Sequence, residues 1–138
     1  MEAFQKYKSF NGNKSIEELQ YNISIAINRL ENLKLELEFY TILIHKPFFK
    51  NHMINLYESL SIFKKELKAI SDNRVALLNK MYSHSNHIRN KIECDDLACD
   101  YFFIKEHDDI ELRVFNFHEA FLDLKFRLFQ YLESVFVN

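Results

Sequence analysis

Five residues in the second half of the chain have side chains of types that can bind a metal: His84, His87, Cys94, Cys99 and His107. Asp95 and Asp96 stand among them. Imidazole and thiolate together are good zinc ligands. His84 and His87 are three residues apart, a spacing that lets them share a helix face. The rest of the pattern does not complete a site. Four residues separate Cys94 from Cys99, the upper limit of zinc-finger spacing, and no second tight pair follows. If both cysteines are helical, a separation of five puts them on different faces. The spacing predicts small buried thiols and histidines partly at the surface, with no metal and no cofactor. A metal-binding helical bundle, sensor or enzyme, built on these five residues is the alternative expectation.

Other chemistry has less to stand on. A Gly-rich phosphate loop needs several glycines, and the chain has one, Gly12. No Ser-His-Asp set can be placed from spacing, so no catalytic residue is expected and the chain reads as a non-enzyme. The pieces His107-x-x-x-Glu111 and His118-x-x-x-x-Asp123 resemble fragments of the hemerythrin pattern. The paired-histidine helix of that family has no counterpart, and His107 is expected to be a hydrogen-bonded core histidine.

The elements that must position these residues follow from composition and period. Hydrophobic residues make up 48% of the 138 positions, enough for one domain with a real core. One Gly, one Pro (Pro47) and no Trp leave almost nothing to build hairpins from, so the chain is expected to be all-α. Ser15 and Glu18 form a capping box. The helix after it has a clean apolar seam: Ile16, Leu19, Ile23, Ala26, Leu30, Leu33, Leu37, Tyr40 and Ile44. Pro47 should end it near Lys46 and open a second helix after a tight turn over 45–48.

That second helix has its own seam: Phe49, Met53, Leu56, Leu60, Phe63, Leu67, Ile70, Arg74, Leu77, Met81, His84 and Ile88. The steps alternate four and three, in unbroken phase through Ser71-Asp72-Asn73, the residue types at which a break would be expected. Continuity predicts one helix of roughly 65 Å, overhanging the first by about four turns. A turn near 94–96 then leads to a third helix, with a possible kink before Asp108, where Asp108 and Glu111 resemble a second capping box. Its seam is Phe103, His107, Ile110, Val114, Phe117, Phe121, Leu124, Leu128, Tyr131 and Val135. The expected fold is an elongated antiparallel bundle of three long helices with coiled-coil-like packing, a single domain over 15–138. Residues 1–14, with Phe4, Tyr7 and Phe10, form a short docking helix or a flexible segment. Arg74, in the seam, is expected to set register, paired with an acid across the bundle.

A second apolar line runs beside the third seam: Leu112, Phe115, Leu122, Phe126, Phe129 and Phe136. Helix one has its equivalent in Tyr21, Ile25, Leu35, Phe39 and Ile42. One broad face suffices for a bundle helix, so two lines predict burial on two sides. The expected function is therefore that of a helical interaction protein: an adaptor, assembly factor or structural subunit. It would act as a homodimer or with a helical partner through Leu35, Phe39, Ile42, Phe115, Leu122, Phe126 and Phe129.

Charge excludes more than it selects. The net charge of −2 favours neither nucleic acid nor an anionic membrane. The basic run over 61–92 is expected to be neutralised by the acidic run over 93–123 rather than to bind nucleic acid. No run of about 18 apolar residues and no apolar leader is visible, and two cysteines make no disulfide framework, so a cytoplasmic setting is expected.

Overall fold

The computed structural model describes residues 6–50, 53–90 and 97–136, with only the backbone described for 97–100. Three helices carry the fold: α1 (Ile16–Leu43), α2 (Leu56–Asn90) and α3 (Leu97–Val135), preceded by a 3-10 turn over Asn11–Asn13. Each packs against the other two. Glu31 meets Tyr82 while Ile44 approaches Leu60, so α1 and α2 run antiparallel. His84 meets His107 and Glu66 meets Arg127, so α3 turns back along α2. At 1.5 Å per residue the helices are roughly 42, 52 and 58 Å long.

The seams are the core. Leu19, Ile23, Leu30, Leu37, Tyr40 and Ile44 are buried in α1 and its C-terminal turn. Leu60, Phe63, Leu67, Ile70, Leu77, Met81 and Ile88 are buried in α2, and Phe103, Ile110, Phe117, Phe121, Leu124, Leu128 and Val135 in α3. The alternation of four and three keeps one stripe of each helix facing the other two, which is why spacing alone located it. Ser15 caps α1 as its type predicts: its hydroxyl accepts from the Glu18 N–H at 3.1 Å. α2 is unbroken through Ser71–Asn73, where Asp72 turns outward to pair with Lys68 at 3.0 Å.

Two expectations at the helix ends are corrected. Helix two starts at Leu56, not just after Pro47, so the connection is longer than a tight turn and α2 exceeds α1 by roughly two turns, not four. One contact and one backbone conformation explain this. Phe49 is drawn into an antiparallel bridge with Phe136, where the rings stack at 5.7 Å and the Lys50 N–H donates to the Val135 carbonyl at 2.7 Å. Asn55 sits at φ 60°, a left-handed conformation that stops a helix from extending backwards through it. The second correction concerns Asp108 and Glu111. α3 runs through both without a break, and their carboxylates receive the N-terminal segment instead of capping a helix. The expected turn at 94–96 lies outside the described residues, as does Phe4.

Arg74 is buried in the seam, but its first partner is not an acid. Nη1 donates to the Leu30 carbonyl at 3.1 Å, and Glu31 lies further off at 3.9 Å. The expected pairing of the α2 and α3 flanks falls partly on Lys91, Glu93, Asp95, Asp96 and Asp100, whose side chains lie outside the described residues. Among the described residues, the two runs meet through His84 and His87 at Glu106. The other cross-helix pair, Glu66–Arg127, has the opposite sense. No helix among the described residues is long and apolar enough to cross a membrane.

Candidate functional site

The second apolar line forms the outer face of α1 and α3. Leu35 (73% exposed), Phe39 (57%), Ile42 (56%), Leu122 (42%), Phe126 (44%) and Phe129 (46%) all stand substantially in solvent. Phe115 is the exception: it is half-buried, with the Tyr7 ring 5.9 Å away. The two lines are joined by Tyr40. Its ring meets Phe129 edge-on at 5.3 Å and Phe39 at 6.0 Å, and its inner side reaches Phe121 at 6.5 Å. Beneath this bridge, Glu36 accepts from the Tyr40 hydroxyl at 2.5 Å and pairs with Lys125 at 2.9 Å. Burial alone would raise the Glu36 carboxyl, but the Tyr40 hydroxyl and Lys125 outweigh it and hold the carboxyl below its ordinary range. The Glu36–Lys125 ion pair thus joins α1 to α3, with Glu36 held in place from its own helix by the Tyr40 hydroxyl.

A second cluster lies between α2 and α3. His84 and His107 are both buried and face each other, His84 Nε2 to His107 Nδ1 at 3.1 Å. His107 is the hydrogen-bonded core histidine its seam position predicts. His84 is fully buried, against the expectation of a partly exposed ring; it occupies a seam position between Met81 and Ile88. Glu106 Oε1 lies 3.3 Å from His84 Nδ1 and 3.0 Å from His87 Nδ1, with His87 half in solvent. On the far side, His107 Nε2 lies 3.2 Å from Glu111 Oε2. Glu111 in turn accepts from the Tyr7 hydroxyl at 3.1 Å and from Asn11 Nδ2 at 3.1 Å. Burial and Glu111 push the Tyr7 hydroxyl up to about 12.

The metal alternative is brought together only in part. His84 meets His107 and shares Glu106 with His87, but Cys94 lies outside the described residues and Cys99 is described only as helical backbone. Among the described residues, no three His, Cys, Asp or Glu side chains are placed to hold one ion. Spacing did not single out Glu106. Its place beside His84 and His87 depends on the α2–α3 register, which no local pattern encodes. Glu111 was visible only as a capping residue and as part of the His107-x-x-x-Glu111 spacing. No protein-family model, curated protein or solved structure matches the chain.

Proposed function

We propose that this chain is a non-enzymatic helical interaction protein, an adaptor, assembly factor or structural subunit, that self-associates as a homodimer through the outer face of α1 and α3. The observation that carries this reading is the exposure of Leu35, Phe39, Ile42, Leu122, Phe126 and Phe129, with Phe39 and Phe129 joined through the Tyr40 ring and Ile42 lying toward the α1–α2 groove. Monomers rarely leave a contiguous apolar patch larger than a few hundred Å² in water. At about 200 Å² per fully exposed large side chain, these six alone offer roughly 600 Å², close to the ~800 Å² per partner of a standard interface. A second copy is the occupant favoured here. The face presents a row of aliphatic and aromatic side chains from each of two helices, so two-fold apposition would set apolar against apolar on both sides. A reducing, cytoplasmic setting and the absence of a nucleic-acid or membrane partner belong to the same reading. They are supported by the low net charge and by two cysteines too few for a disulfide framework.

The test is solution mass by light scattering at two concentrations, for the wild type and Phe126→Asp. The expected result is a dimer that falls to a monomer in the variant with its helical content unchanged. A wild-type monomer at both concentrations overturns self-association. Elemental analysis giving about one metal per purified chain would overturn the interaction-only reading in favour of the histidine cluster.

A further inference from the structure

The His84–His107 pair raises a question of proton count. Three close approaches lie in a row: Glu106 Oε1 to His84 Nδ1 at 3.3 Å, His84 Nε2 to His107 Nδ1 at 3.1 Å, and His107 Nε2 to Glu111 Oε2 at 3.2 Å. The outer two are ion-pair distances, the middle one is a hydrogen bond, and His84 Nδ1 is buried without a hydrogen-bond partner among the described residues. Ionised carboxylates only accept, whereas each imidazole nitrogen carries either a proton or a lone pair. Two neutral rings bring two protons to three contacts. If both protons point at the carboxylates, two lone pairs face each other across the middle contact. If one proton bridges the rings, one carboxylate contact has none. A single additional proton fills all three contacts. One more sets two N–H groups head to head and places two cations 5.3 Å apart between ring centres, in an interior that screens charge poorly.

We propose that the His84–His107 pair is an acid-sensitive latch: the closed bundle accepts at most one proton beyond the two neutral rings, and the next proton opens the α2–α3 seam at this end. The charges around the pair come from three elements. From α2, His87 faces Glu106. From α3, Glu106 faces His84, and Glu111 and Asp108 face His107. From the N-terminal segment, Lys14 faces His107, and Tyr7 and Asn11 occupy Glu111. Among the described residues, no hydrogen bond or ion pair joins α1 to either ring. Burial pushes both imidazoles below their ordinary range, against the opposing pull of Glu106 on His84 and of Glu111 on His107. In the unfolded chain the rings titrate near pH 6.5. Below that pH the unfolded chain therefore binds protons that the closed pair refuses, and stability falls as the pH drops.

The experiment compares the unfolding equilibrium of the wild type and His107→Gln in urea, followed by circular dichroism, from pH 8 to pH 5. The glutamine amide of the variant can accept a hydrogen bond from the His84 ring but cannot become a second cation. The expected wild-type unfolding constant rises about tenfold per pH unit below ~6.5 for each proton excluded, and more steeply than that of the variant. His118 titrates in both proteins and cancels. Should His107→Gln fail to fold, histidine-labelled wild type read by NMR decides instead. The pair should not reach two imidazolium rings until the α2–α3 contacts around it are lost. Equal pH slopes in the two proteins, or two full imidazolium titrations with the seam intact, would overturn the latch.

Discussion

Asn11 Nδ2 lies 2.6 Å from Asp108 Oδ1, a hydrogen bond across 97 residues of sequence. The same amide reaches Glu111 at 3.1 Å, and Asn11 is fully buried. Ser9 adds its hydroxyl to Asp108 at 2.5 Å, and Tyr7 lays its ring toward Phe115. The N-terminal segment is therefore held on α3 through two carboxylates one helical turn apart, with an aromatic contact beside them. Asn11→Ala removes two hydrogen bonds to charged acceptors, each worth about 1.5–3 kcal/mol. A destabilisation of about 3 kcal/mol or more in urea is expected, with faster proteolysis between residues 6 and 14. A change below ~0.5 kcal/mol would show that these contacts do not hold the segment.

Arg74 separates charge from packing. Arg74→Ala should cost about 2–4 kcal/mol, because it leaves a cavity where a long stem was packed. Arg74→Met keeps most of the volume and drops the buried charge, so it should change stability by less than ~1.5 kcal/mol in either direction. Chemical denaturation of the two variants reads the difference. Equal losses would mean that the guanidinium, not the stem, stabilises this layer.

His118 offers a pH prediction away from the buried pair. Its ring lies edge-on to Phe117 at 5.7 Å, and burial followed by the nearby Arg29 cation lowers its pKa. Arg29→Ala should raise the His118 midpoint, leaving it still below the free-histidine value near pH 6.5 because burial remains. A histidine NMR titration of the two proteins checks this. A group with a lowered folded pKa destabilises as pH falls below its unfolded value, so the variant should also lose less stability between pH 7 and pH 5.

If the outer face is the association surface, both of its helices must contribute. Phe39→Glu on α1 should then dissociate the dimer as Phe126→Asp on α3 does. Phe115→Ala should have less effect on assembly, because the Tyr7 ring already lies on that side chain. Light scattering on the three variants separates a two-helix surface from one carried by α3 alone.

Much of this molecule was legible in its spacing. The seams of all three helices, the Ser15 cap, the passage of α2 through Ser71–Asn73 and the core place of His107 each follow from local causes. A period of 3.5 residues admits one buried stripe, and a serine hydroxyl three residues from an N–H can reach it. These rules act within a few residues, so one chain is enough to apply them. The start of α2 was not legible, because Phe49 exchanges a helical position for a bridge to Phe136 at the other end of the sequence. The roles of Asp108 and Glu111 were misread for the same reason. As local residues they look like a cap, and only the arrival of Tyr7, Ser9 and Asn11 makes them a receptor.

The sequence by itself determined that three long helices would pack by one stripe each, and which residues would form that stripe. Only the tertiary structure decided what the remaining faces meet. Helix register, which local periodicity leaves free, set His84 against His107 and Glu106, while Glu111 meets His107 from the next turn of the same helix. It also left the Phe39 and Phe126 stripes in water. A one-turn slide of α2 along α3 would keep every seam residue apolar-facing and still break the histidine pair, because a seam repeats and a hydrogen bond at 3.1 Å does not.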